Sequence, residues 1–168
     1  MKSKVLALIL LCGAASLGAK VKLPALVGDN MILQQQTEVK LWGTAAPKAE
    51  VRVTPSWNGQ TTTCRADKDG RWLLAVKTPA AGYTPYEITF DDGEKTTLKN
   101  ILIGEVWLAS GQSNMEMPLK GFAGCCIMNG ADDIIVSAEN KGVRMFTVPK
   151  HQTYELQTDC KGSWNISS

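Results

Sequence analysis

The chain has 168 residues, 44% of them hydrophobic and 20% charged, with 18 lysines and arginines against 16 acids and a net charge of +2. That is enough apolar material for one or two packed units, and too little net charge for a nucleic-acid stripe or a polybasic membrane patch. With one histidine and no Cys-x-x-Cys spacing, there is no metal-ligand cluster, and neither a metal nor any other cofactor is implied.

The chain starts with Lys2 and Lys4, continues through the apolar run Val5 to Leu11, and then turns to small residues from Gly13 to Ala19. These are the three regions of a secretory signal peptide, residues 1–19, cut after Gly18 or Ala19. The apolar core is too short to span a bilayer, so no membrane anchor is expected. Leu11 in front of Cys12 argues against a lipoprotein site. The expected product is exported to the periplasm, the exterior or another secretory compartment.

Loss of Lys2 and Lys4 leaves 16 basic residues against 16 acids. A near-neutral surface suits an uncharged or weakly charged ligand, although a single arginine can still hold a carboxylate. Export permits disulfides among Cys64, Cys125, Cys126 and Cys160, which allow three full pairings. Adjacent cysteines rarely join each other, so a bridge from Cys125 or Cys126 to Cys160 is expected.

Residues 20–100 read as short strands separated by turns. Val39 to Trp42, Val51 to Val53 and Tyr86 to Phe90 alternate, each setting apolar residues on one face. Asp67-Lys68-Asp69-Gly70 separates Thr61 to Cys64 from Trp72 to Val76, and Asp91-Asp92-Gly93 precedes Lys95 to Leu98. Both loops have the composition of hairpin turns. The segment is expected to be an antiparallel β-sandwich, with Trp42 and Trp72 in its core and Trp57 on a loop where it can stack on a sugar ring.

From Ile101 the pattern changes, and residues 101–168 are expected to open a second domain. Val106 to Ser110 is apolar throughout, as for the middle strand of a sheet covered on both faces, with Trp107 buried. Gly111 then allows a sharp turn that projects Ser113 with free N–H groups beside it, as a nucleophile and half an oxyanion hole require. Ala131 to Glu139 can form a short helix with acids near its N-terminus, and Val143 to Val148 reads as a strand. Together they make one βαβ unit at the start of a parallel sheet. The overall class is thus α+β and multi-domain. The 68 residues from Ile101 to Ser168 fall short of the about 100 to 200 that a parallel α/β domain needs.

The contiguous run from Gly104 to Pro118, GEVWLASGQSNMEMP, resembles the first conserved block of the sialate O-acetylesterase family, within the SGNH-type esterases. Weaker similarity reaches upstream through Leu23-Pro24 and Asp29 to Gln35, and downstream to Val143 to Val148. The resemblance implies a carbohydrate esterase that removes O-acetyl groups from sialic acids, with Ser113 as nucleophile and its backbone N–H as an oxyanion donor. Gln112, Asn114 and Glu116 are the accompanying substrate-binding candidates. A lipase-like Gly-x-Ser-x-Gly elbow fits less well, because Met115 stands at the second glycine.

Such a serine needs a base, and the family supplies an Asp-x-x-His pair late in the chain. Here the only histidine, His151, has Val148 three positions before it and sits in a polar stretch, so it is expected to be a solvated loop residue. The chain is therefore expected to be the N-terminal portion of a longer esterase and inactive alone. An acetylxylan or other polysaccharide deacetylase is the nearest alternative. A non-catalytic carbohydrate-binding β-module is the alternative of another class. Asn165-Ile166-Ser167 matches a glycosylation sequon. The partner implied is an acetylated sugar, and the oligomeric state is left open.

Overall fold

The computed structural model describes residues 20–118, 120–124, 130–138 and 140–167. The expected signal peptide and both Cys125 and Cys126 lie outside the described residues. Seven strands come first: β1 (Ile32–Gln34), β2 (Glu38–Thr44), β3 (Glu50–Pro55), β4 (Thr62–Arg65), β5 (Arg71–Lys77), β6 (Gly82–Asp91) and β7 (Lys95–Gly104). A 3-10 turn (Ser113–Glu116), helix α1 (Gly130–Ala138), β8 (Arg144–Phe146) and β9 (Trp164–Ile166) follow.

The alternation in the sequence sets the burial. In β5 every second residue, Trp72, Leu74 and Val76, is buried, and β3 buries Val51 and Val53 in the same rhythm. β1, β7, β6, β3 and β4 form one mixed sheet in that order, and β2 pairs with β5 in a second. The core lies between them: Phe90 of β6 meets Trp72 of β5 with ring centroids 5.9 Å apart. The architecture is mostly β with one small helix.

The β6–β7 hairpin forms as the Asp91-Asp92-Gly93 turn predicts, with Asp91 opposite Lys95. The other expected hairpin does not form. β4 pairs with β3 and β5 with β2, so the Asp67 to Gly70 turn passes the chain from one sheet to the other. A turn motif reports a chain reversal, and which ladder each strand then joins depends on neighbours far away in sequence. Asp67 organises this turn, its Oδ1 accepting from the N–H groups of Asp69 and Arg71, both at 2.8 Å.

Gly70 has φ +80°, and a Cβ there would lie 2.5 Å from the Ala45 carbonyl oxygen. Gly70→Ala is expected to destabilise the fold by about 1–2 kcal/mol from the left-handed backbone alone. The midpoint of urea denaturation reads the loss, and an unchanged midpoint would show that the turn relaxes freely.

β1 runs parallel to β7, with Ile32 opposite Leu102 and Gln34 opposite Gly104, which makes the large sheet mixed where an antiparallel one was expected. β1 is short and is reached from Lys22 by a tight path rather than from β7 by a hairpin, so antiparallel geometry is not imposed on it.

Two further expectations are corrected. The apolar run after β7 is not a strand: the ladder ends at Gly104, and Val106, Trp107 and Leu108 are 45%, 86% and 95% exposed. An all-apolar run becomes a central strand only with partners on both edges and layers on both faces. Among the described residues none flank it, so Trp107 is not a core residue. α1 forms within one residue of its expected bounds, but the following strand, β8, pairs antiparallel with β9. The expected parallel βαβ unit is therefore absent among the described residues.

Candidate functional site

The path into the serine turn begins at the end of β7. Glu105 is the first residue beyond the ladder, and its carboxylate accepts hydrogen bonds from Gln34 Nε2 at 2.9 Å and Gln35 Nε2 at 2.6 Å. Gln34 Oε1 in turn accepts from the Val106 N–H at 2.9 Å, and Gln35 Oε1 accepts from the Ala81 N–H at 2.9 Å. The Gln35 N–H donates to the Gly104 carbonyl at 2.9 Å. The two glutamines thus fasten the chain as it leaves the sheet toward Ser113.

The bonds donated by Gln34, and then by Gln35, hold the Glu105 carboxyl below the ordinary glutamate range. A depressed carboxyl contributes its stabilisation above the unfolded value and loses it as pH falls through the folded one. The side-chain amide resonances of Gln34 and Gln35 should therefore titrate together, with a midpoint below the ordinary glutamate value. In Glu105→Ala that titration should vanish. Independent or absent titration in the parent protein would show that the clamp does not exist in solution.

Further along, Asn30 and Asn100 both take positive φ, 63° and 57°, and Asn100 Nδ2 donates to Asn30 Oδ1 at 2.7 Å. Asp29 Oδ1 accepts from the Lys99 N–H at 2.7 Å. The stretch from Asp29 to Gln35 is in this way a brace along β7. Sequence reasoning had given Gln34, Gln35 and Glu105 no role. Their spacing of about 70 residues carries no local signal, and only the parallel β1–β7 pairing brings them together.

Ser113 opens the 3-10 turn and is exposed, and its hydroxyl makes no hydrogen bond among the described residues. The first bond of the turn runs from the Met115 N–H to the Gln112 carbonyl at 2.9 Å. The N–H groups of Ser113 and Asn114 precede that donor and are left unused by the turn. Gly111 provides room rather than an unusual φ, because a Cβ there would lie 2.8 Å from Met115 Cγ. Gln112 is exposed. The Asn114 side chain lies outside the description.

Glu116 pairs with Lys150 at 2.6 Å, tying the serine turn to the segment after β8. Both side chains are largely solvated, so the pair is worth at most about 1 kcal/mol. His151, next to Lys150, is exposed as expected, and no hydrogen bond connects it to Ser113. The serine thus has no base among the described residues.

Beside the turn lies a cavity of about 1580 Å³. Its walls include Trp107, Leu108, Met115, Met117 and Val148, and Arg144 stands on it as well. Gln112 and Ser113 are not among its lining residues, while Glu105 and Glu116 are.

Trp57 sits on a turn as expected and is half-buried. Its Nε1 donates to the Lys77 carbonyl at 3.0 Å, and its ring meets Tyr86 edge-on at 5.7 Å against the core. Trp42 packs partly buried against the same core. Among the described residues Cys64 and Cys160 form no disulfide, and burial pushes the Cys64 thiol up. The expected bridge to Cys160 involves residues outside the description. Asn165 of the sequon is exposed on β9.

No protein-family model matches the chain. Sialate O-acetylesterase of Rattus norvegicus is 27% identical, over 95% of this chain and 31% of its own length. Sialate O-acetylesterase of Homo sapiens is 30% identical, over 89% of this chain and 29% of its own length. Among solved structures, a carbohydrate acetylesterase from Xanthomonas citri superimposes with a TM-score of 0.78 at 31% identity, over 88% of this chain and 33% of that one. The chain spans about a third of the length of these relatives.

Proposed function

Because this chain belongs to the sialate O-acetylesterase family, we propose that it is the serine-bearing part of an exported carbohydrate O-acetylesterase acting on sialic acids. The observation that carries the reading is the serine turn itself. Ser113 stands exposed at its first position, with two N–H groups unused by the turn beside it, at the end of a chain segment fastened by Gln34 and Gln35.

Ser113 Oγ attacks the acetyl carbonyl, and its own N–H helps to hold the oxyanion. Gln112, Asn114 and Glu116 meet the sugar. The base and its orienting carboxylate come from polypeptide other than the described residues, and without them the chain lacks turnover. Residues 1–19 are the signal peptide and 20–100 a β-sandwich module. From 101 onward the chain contributes to an SGNH-type sheet, with β7 carrying it from one to the other. Completion of that sheet accounts for the apolar run at Val106 to Leu108, which stands exposed.

Labelling with a fluorophosphonate tests the assignment. The longest naturally expressed form should take up one label, found by peptide mapping on Ser113. A label elsewhere, or acetate release that the reagent leaves untouched, overturns the role of Ser113.

The absence of a hydrogen bond between His151 and Ser113 favours one second reading, a secreted carbohydrate-binding β-module with no turnover. It predicts sugar binding with no acetate release from any form. The same chemistry on acetylxylan or another polysaccharide is the nearest variant of the first reading.

A further inference from the structure

We propose that Arg144 is the anchor for the carboxylate of an acidic sugar, and so the residue by which this cavity separates sialic acids from neutral acetylated sugars. The proposal rests on the esterase reading above and deepens it.

Arg144 stands where two cavities meet. It lines the one beside the serine turn and also an adjoining one of about 730 Å³. Among the described residues the smaller cavity is lined by two cationic residues, Arg144 and Lys141, and by no acid, while Tyr83, Val136 and Ile166 supply apolar wall. The local field therefore favours an anion with an uncharged body.

The guanidinium is half-buried and makes no ion pair among the described residues. Its partners are neutral oxygens: Nη1 donates to the Lys141 carbonyl, and Nη2 donates to Asn100 Oδ1 at 3.3 Å. Nε is buried with no partner among the described residues. Of five N–H donors, two are engaged, which leaves the guanidinium its full charge and spare donors for a planar carboxylate.

The acids on the larger cavity make no ion pair with it among the described residues. Glu105 is engaged by Gln34 and Gln35, and Glu116 by Lys150. A neutral sugar would gain nothing from this cation, whereas a sugar acid places a carboxylate on a charge already partly stripped of water.

The test compares N-acetylneuraminic acid with its C1 carboxamide, titrated into the protein and followed by NMR. The acid should bind about tenfold tighter or more, the difference expected of hydrogen bonds to a charged group. Arg144→Gln, which keeps a donor for Asn100, should bind the two alike. Should that variant not fold, Arg144→Lys should still cut the preference severalfold, because lysine lacks the planar fork.

Equal binding of acid and amide by the parent protein, no binding of either, or a preference that survives both substitutions overturns the proposal. Acetylated forms of both ligands separate this from the esterase reading. Carboxylate preference without acetate release keeps the anchor and removes the esterase. Acetate release without preference does the reverse.

Discussion

Ser113→Ala, made in the longest naturally expressed form, is expected to lower acetate release by about 10³- to 10⁶-fold, the range seen when the nucleophile of an acyl-transfer enzyme is removed. The fold should not respond. Ser113 is exposed, and its hydroxyl makes no hydrogen bond among the described residues, so its loss leaves no cavity and no orphaned partner. The backbone N–H at position 113 survives the substitution, so a small residual rate from oxyanion stabilisation should remain. Sugar binding should be unchanged within about threefold, since neither charge nor volume at the cavity is altered. Acetate release within about tenfold of the parent would move the nucleophile elsewhere in the chain. A parent with no acetate release but intact sugar binding would establish the binding module instead.

Phe90→Ala is expected to destabilise the protein by about 3–5 kcal/mol. Phe90 is 0% exposed, sits opposite Val53 in the large sheet and meets Trp72 of the smaller one, so its ring is part of the core that joins the two sheets. Truncation removes the apolar burial and leaves a cavity between layers that cannot collapse without moving a ladder. Against a total stability of about 5–15 kcal/mol, a loss of this size is a third or more of the whole. Phe90→Leu, which keeps most of the volume, should lose about 1 kcal/mol. The comparison is read from urea midpoints at constant slope. Equal midpoints for the two variants would mean that the sheets are not joined at this ring.

The parts of this structure that were legible in advance are those written at short range. Alternation in Val51 to Val53 and in Trp72 to Val76 marked buried faces, because side chains on a strand point to opposite sides in turn. The acidic turn before Lys95 marked a hairpin, and the acids of residues 132 and 133 marked the start of α1. The serine turn was legible from Gly111 and from its long resemblance to a known block.

Apart from the β6–β7 hairpin, what failed was the assignment of which strand joins which. Val106 to Ser110 has the composition of a central strand, yet composition states only that the run would be stable if covered. Among the described residues it is uncovered. Trp57 sits on a loop as expected, but the register of β3 and β6 folds that loop back onto Tyr86 and Lys77.

The sequence by itself determined where backbone can extend, turn and bury one face, since those depend on neighbours a few bonds apart. Only the tertiary structure decided that β1 lies parallel to β7, and with it the clamp of Gln34 and Gln35 on Glu105 that steers the chain toward Ser113. It likewise decided that Arg144 donates to the Asn100 side-chain oxygen and lines a smaller cavity that holds no acid among the described residues. Such contacts join residues tens of positions apart, and their energy depends on distance and burial, which no local pattern encodes.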